Sequence, residues 1–227
     1  GEDITVTGVL GSNIRRQNVD NVLSSTIGGL VVPEIYSLAN SRYALPFPVE
    51  TKYTSGVNGL YAQGSIGYKN TYFVDASVRR DISSTLPQGN NSYVYPAISG
   101  AVVFSNLIKV DWLNLAKFRV NYAEVGNDAA PLSLINTYTR SSNFQGQPIY
   151  SLPNTNLNPN LKPERTNSFE VGLETSVLDN RLGLDVTYYK TQSVDQIVSG
   201  AVSSASNVTN AYVNGGTINN EGFEVQL

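Results

Sequence analysis

The sequence has 227 residues, of which 41% are hydrophobic and only 15% charged, with a formal net charge of −3. Soluble domains of this size usually carry about 25% charged residues, and a mildly acidic chain argues against nucleic acid as a partner. Cysteine, histidine and methionine are absent, which excludes a disulfide framework, a thiol nucleophile, a Ser-His-Asp triad and most zinc sites.

Without an initiator methionine or a signal peptide at Gly1, the chain is expected to be a processed product or a fragment. A first strand is expected over about 3–13, where Ile4, Val6, Gly8 and Leu10 alternate with Thr5, Thr7 and Val9. Arg15–Val57 follows as a long irregular stretch holding Pro33, Pro46, Pro48 and Gly28-Gly29. Within it, Ile35 and Tyr36 are the candidates for a short strand.

Leu60, Ala62, Ile66 and Tyr68 mark the outward face of a second strand, and Tyr72, Val74, Ala76 and Val78 that of a third. Both sets are even-numbered, so the turn between them has an odd length, and Lys69-Asn70-Thr71 supplies three residues. Asp81–Ser92 is a polar loop. Val94, Pro96, Ile98, Val102 and Phe104 face outward on the next strand, with Pro96 expected at a bulge near its start. Leu107–Asn114, which holds the single tryptophan Trp112, leads to Ala116, Phe118, Val120 and Tyr122 facing out, with Lys117, Arg119 and Asn121 facing in. Asn127–Arg165 is a second long irregular stretch, rich in Asn, Ser and Pro.

The clearest signal spans Thr166–Gln192. Phe169, Val171, Leu173, Thr175 and Val177 alternate with Ser168, Glu170, Gly172, Glu174 and Ser176, and the outward set switches to Leu182, Leu184, Val186 and Tyr188 after Asp179-Asn180. A tight turn there pairs Leu178 with Arg181 and keeps both apolar faces on one side, because Asp and Asn tolerate left-handed backbone. A loop then runs to about Gly216. Thr217–Leu227 forms the last strand, with Phe223, Val225 and Leu227 on one face.

The sum is about eight antiparallel strands and no helix. The links at 69–71, 106–114 and 179–180 are short; those at 15–57, 81–92, 127–165 and 193–216 are longer. Strands joined in sequence place the short links at one end and the long ones at the other, as in an outer-membrane barrel. A soluble β-sandwich has no reason for such sorting. The 14 tyrosines and 19 glycines suit such a barrel, where Tyr68, Tyr72, Tyr122 and Tyr188 would form interfacial belts. No apolar run approaches the ~20 residues of a membrane helix.

Several runs carry a family resemblance. Asn158-Pro159-Asn160-Leu161-Lys162-Pro163-Glu164, Phe169–Glu174, Asp179–Leu182, Asp185–Lys190 and Asn219–Glu224 resemble the C-terminal barrel of SusC/RagA-type TonB-dependent transporters. So do Ala76–Asp81, Tyr95–Ser99 and Phe118–Asn127, in the same order, so the resemblance covers about 60–227. It implies an up-and-down transmembrane β-barrel of 22 strands in the outer membrane of Bacteroidota-type bacteria. Residues 1–227 would be part of its wall, without the plug domain and TonB box. It further implies import of oligosaccharide or peptide solutes, energised through TonB, with a SusD-like surface lipoprotein and the lipid bilayer as partners. It implies no enzymatic activity and no cofactor. The alternative function is a structural or surface-interaction barrel, a scaffold or adhesin in an outer-membrane complex.

The hairpin register sets Glu174 opposite Asp185 and Glu170 opposite Tyr189, all facing the lumen. Opposed Cβ atoms lie about 5 Å apart, near the carboxylate separation of a retaining glycosidase. A wet lumen leaves both carboxylates ionised, against catalysis. Glu170, Glu174 and Asp185 are instead expected to hold cationic residues of the plug. Arg79, Arg119 and Lys117 either line the solute path or pair with wall carboxylates, the commoner use. Tyr138, Phe144 and Tyr150, in a long outer loop, are the candidates for contact with a sugar ring or the lipoprotein.

Overall fold

A computed structural model describes residues 3–227, except for the side chains at 141, 142 and 204. In chain order the strands are β1 (Ile4–Leu23), β2 (Ile27–Leu30), β3 (Ser41–Tyr43), β4 (Val49–Tyr68), β5 (Tyr72–Ser83), β6 (Ser92–Val103), β7 (Leu113–Asn127), β8 (Thr139–Phe144), β9 (Gln147–Ser151), β10 (Thr155–Asn156), β11 (Glu164–Val177), β12 (Leu182–Val194), β13 (Ile197–Ala201), β14 (Asn210–Asn214) and β15 (Thr217–Gln226). Eight of them form one antiparallel sheet in the order β1-β4-β5-β6-β7-β11-β12-β15. Each is followed in the sheet by the next of the eight in sequence, so the expected up-and-down meander is observed. The other strands are small sheets within the long loops. No helix among the described residues is long and apolar enough to cross a membrane, which says nothing of a crossing built from strands.

The short links lie together at one end. Lys69 and Asn70 turn with positive φ, and Tyr68 pairs with Tyr72 across them. At the β11–β12 turn Leu178, Asp179 and Asn180 all have positive φ, and Arg181 N donates to Leu178 O at 3.2 Å. Val177 therefore pairs with Leu182, Glu174 with Asp185 and Glu170 with Tyr189, the register that the alternation requires.

Burial is inverted relative to a soluble domain. On β5 the even residues, Tyr72, Val74, Ala76, Val78, Arg80 and Ile82, are exposed, while the odd ones are half-buried or buried. The polar face is thus the sheltered, concave one, and the apolar face is bare. Partners carry that bare face across the sheet: Val6, Ile66, Val74, Gly100, Val120, Val171, Tyr188 and Phe223 form one row. The upper margin of the apolar band is Ile14 on β1 and Phe223 on β15, before Arg16 and Glu221 respectively. Phe223 is level with Val6, eight residues below Ile14 along β1. At ~3.4 Å per residue that is a drop of ~27 Å across seven strand spacings of ~4.8 Å, a tilt of about 40°. Barrel strands tilt by about this amount against the membrane normal.

Several sequence expectations are corrected. Arg15–Val57 is irregular only in its middle, residues 24–48: β1 runs to Leu23 and pairs residue for residue with β4 from Val49. Above the apolar band both faces of this hairpin meet water, so Arg15–Asn21 shows no alternation to read. Ile35 and Tyr36 form no strand; β2 and β3 lie on either side of them. Pro96 makes no bulge, since β5–β6 pairing runs through it without a shift. Val103 N–H points to the β5 side, so by alternation position 96 points toward β7, where pairing begins only at Ala97. The missing N–H therefore breaks no ladder bond. The loops at 127–165 and 193–216 also contain strands, the hairpins β8–β9 and β13–β14.

Candidate functional site

The concave face carries two clusters of charged and aromatic side chains, and the long loops close into a cap above them. The lower cluster grows from alternation on three adjacent strands. Lys117 and Arg119 on β7, Glu174 on β11, and Asp185 and Thr187 on β12 all point inward. Arg119 Nη1 and Nη2 donate to the two Asp185 oxygens at 2.9 and 2.8 Å, and Nη2 donates to Thr187 Oγ1 at 2.7 Å. To do so the guanidinium crosses the whole of β11. The β11 residue in its path is Gly172, paired with both Arg119 and Thr187. A Cβ at Gly172 would lie 2.5 Å from Arg119 Nε, so only glycine leaves the crossing open. Glu174 Oε2 lies 3.5 Å from Lys117 Nζ and 3.8 Å from Arg119 Nη1.

The opposed carboxylates Glu174 and Asp185 are thus separated and neutralised by two cations of the wall itself. Bidentate geometry of this kind fixes the arginine as well as attracting it. Glu170, opposite Tyr189 and Asn121, has no ion pair among the described residues.

The upper cluster centres on Arg79. Its Nε donates to Asp81 Oδ2 at 3.1 Å and to Tyr95 Oη at 2.9 Å, and Nη2 lies 3.0 Å from Asp81 Oδ1. Tyr95 also donates to Asp81, and Arg79 sits over the Tyr61 ring at 5.8 Å. The Asp81 side chain is only 8% exposed. A cleft of about 240 Å³ opens beside it, lined by Arg15, Arg79, Asp81, Tyr93 and Asp128. Ser83 donates to Asp128 Oδ2 at 2.5 Å and so pins the start of the long 128–163 loop to the end of β5. No group of acidic side chains suited to a metal ion occurs among the described residues.

The cap is where the run Asn158–Glu164 acts. Leu161 is fully buried against Leu86 and Ala129, with Tyr93, Leu134, Ile197 and Tyr212 packed around them. Backbone flanking Leu161 is tied on both sides. Asn90 Nδ2 donates to Leu161 O at 3.3 Å, while Asn214 accepts from Lys162 N and donates to Lys162 O, each at 2.8 Å. Glu164 accepts from Ile197 N at 2.8 Å and from Asn127 Nδ2 at 2.9 Å. Three loops, 84–91, 128–163 and 195–216, are therefore joined at one point.

Of the sequence candidates, Arg119, Lys117, Glu174 and Asp185 are brought together, Arg79 stands in the separate upper cluster, and Glu170 lies one inward position above Gly172, within electrostatic reach of Arg119 but not ion-paired. Tyr138, Phe144 and Tyr150 are exposed on or beside the β8–β9 hairpin, Phe144 at its tip and Tyr150 opposite Arg140. Arg140 also covers the Phe47 ring at 4.5 Å, linking this hairpin to the 24–48 loop. Asp81, Tyr95, Asp128, Asn90 and Asn214 were not singled out from sequence. The partners of Asp128, Asn90 and Asn214 are remote in the chain, while Asp81 and Arg79, two residues apart on β5, read only as alternating polar wall residues.

Three comparisons bear on this architecture. The sequence profile of the family described as TonB dependent receptor-like, beta-barrel matches residues 5–227. TonB-dependent receptor P39 of Formosa agariphila is 28% identical over 181 residues, covering 77% of this chain and 17% of that protein. TonB-dependent receptor P26 of the same organism is 25% identical over 241 residues, covering 100% of this chain and 24% of its own length. Among solved structures, a chain of the RagAB peptide transporter superposes with a TM-score of 0.84 at 21% identity, over 99% of this chain and 25% of that one. That likeness is one of fold. The chain spans a quarter or less of the length of each.

Proposed function

This chain belongs to the TonB dependent receptor-like β-barrel family, and from that premise we propose that it is wall and outer-loop cap of an active outer-membrane importer of glycans or peptides. Its convex face meets hydrocarbon, its concave face lines a polar lumen, and its long loops meet solute and a surface lipoprotein. Energy would come through TonB by way of a plug domain elsewhere in the protein. The wall does no covalent chemistry: Lys117, Arg119, Glu174 and Asp185, and likewise Arg79 and Asp81, are engaged with one another.

The observation that carries this reading is the inverted sheet with its tilted band. A bare apolar convex face, a sheltered polar concave face and a tilt of about 40° together describe a wall between lipid and a water-filled interior. In the lumen, Arg119 and Arg79 serve as cross-strand ties whose own charges are paired. Glu170, free of such a tie, is the inward carboxylate best placed to meet a cation of the plug.

Uptake by cells producing the whole protein tests the reading. Labelled oligosaccharides and peptides are supplied with TonB present and with TonB deleted. Saturable uptake of one solute class that disappears without TonB is the expected result. A barrel that assembles normally yet shows no TonB-dependent uptake would instead be a scaffold or adhesin.

A further inference from the structure

Above the apolar band, the β1–β4 hairpin outgrows its neighbour. β4 pairs with β1 from Val49 to Tyr68, but with β5 only from Val57 onward. The last contact on that side is made by Ser84, whose N–H donates to Gly56 O at 2.9 Å and whose Oγ accepts from Gly56 N at 2.9 Å. Beyond it, Val49–Ser55 has no partner on the β5 side among the described residues. Backbone groups point alternately to the two sides of a strand. Gly56 points to the β5 side, so Glu50, Lys52 and Thr54 do as well. All three residues are exposed, and an open strand edge is a template for another strand.

Two clefts open beside this edge. On the inner face a groove of about 410 Å³ runs between Tyr53 and the apolar residues Leu132, Leu134 and Ile135, floored by Ser84 and Thr85. On the outer face a second cleft of about 330 Å³ is lined by Arg16, Asn58, Ser84 and Asn91. The two clefts flank the same Thr54–Ser55 edge from opposite sides of the sheet, the inner one mostly apolar and the outer one mixed, with Ile82 beside the polar residues.

We propose that this slot binds a solute oligopeptide in extended form, added to the β4 edge in line with β5. The proposal rests on the importer reading and narrows its solute class to peptide. The argument is complementarity. Free N–H and C=O groups recur every second residue along Glu50, Lys52 and Thr54, a spacing of ~6.8 Å that an extended main chain matches. A glycan offers no such regular series of donors and acceptors. Successive side chains of the bound peptide would fall alternately into the apolar inner groove and the mixed outer cleft, where Arg16, Asn58 and Asn91 supply the polar groups. Main-chain bonds then give affinity for many sequences, and the inner groove selects for an apolar residue at every second position. The length of free edge suits about five to seven residues, the scale of a solute rather than of a folded partner.

The test uses the whole transporter in detergent and a fluorescent heptapeptide of alternating leucine and serine. Lys52→Pro removes one N–H from the free edge without touching the β1 ladder, since proline is tolerated where its nitrogen faces outward. It should weaken binding by about tenfold, as should Ile135→Asp in the groove. Lys52→Ala keeps the N–H and should bind as the unaltered protein does. N-methylation of the peptide needs no protein variant: methyl groups on one set of alternate residues should abolish binding, and on the other set leave it unchanged. Failure of the unaltered transporter to bind the heptapeptide, equal effects of the two methylation sets, or displacement by maltoheptaose overturns the proposal. Normal heptapeptide binding by Lys52→Pro in cells that still import by TonB overturns the slot and leaves the importer reading standing. Binding lost in Lys52→Pro, in a protein whose uptake ignores TonB, upholds the slot and overturns the importer reading.

Discussion

The wall and the cap are made by one chain for two solvents. In the wall, Leu10, Leu60, Leu173 and Phe223 are exposed and no core lies behind them. The sheet is held by ladder bonds and by cross-strand ties such as Arg119 to Asp185. In the cap, a few residues are packed as in a soluble domain: Leu161 is 0% and Ala129 3% exposed. Leucine at 173 and leucine at 161 thus follow the same hydrophobic rule with opposite geometry. On the proposed reading one escapes water by facing outward into lipid; the other does so by facing loops that fold over it.

The largest expected effect breaks this symmetry on the wall side. Leu173→Arg puts a charge near the middle of the band and should cost about 2–4 kcal/mol in a bilayer. Denaturant unfolding of the whole protein from phospholipid vesicles measures it. An arginine at exposed Tyr36 in the cap region should cost less than about 0.5 kcal/mol by the same measurement. Equal costs at the two sites would mean that Leu173 does not face lipid. Next in size, Leu161→Ala leaves a cavity where three loops meet and should cost the cap about 2–3 kcal/mol. Hydrogen exchange should quicken at the N–H groups of Lys162 and Ile197, which Asn214 and Glu164 hold, while Leu173 and Val186 in the wall keep their protection.

That contrast also explains what the sequence reveals. Phe169–Val177 and Leu182–Tyr188 can be read residue by residue because a bare apolar face and a sheltered polar face impose a period of two. The turn at Asp179-Asn180 is legible because its backbone is left-handed. Arg15–Leu23 forms strand as regular as any of these, yet water on both faces erases the alternation. The register placed Glu174 against Asp185, but the tie from Arg119 depends on Gly172 two residues away, and a glycine at a polar wall position signals nothing by itself. The run Asn158–Glu164 was recognisable as a pattern. Its task became visible only with Asn90 and Asn214, which lie about 70 and 50 residues away along the chain.

Two smaller substitutions sharpen the comparison within the polar groups. Gly172→Ala places a methyl group against Arg119 and should pull it off Asp185. The pair is about 30% exposed, so solvent already weakens it, and a loss of about 1 kcal/mol is expected. A double-mutant cycle with Asp185→Asn should show that the two changes are not additive. Lys52→Gln removes the 2.8 Å pair with Asp20, whose side chains are 80% and 68% exposed. Water solvates both groups as well apart as together, and two long side chains lose freedom when paired, so the change should fall within about 0.5 kcal/mol. The two pairs have nearly the same shortest distance, 2.8 Å. A larger effect at Lys52 than at Gly172 would mean that shelter on the concave face does not strengthen ion pairs, and that Arg119 crosses β11 for some other reason than to bind Asp185.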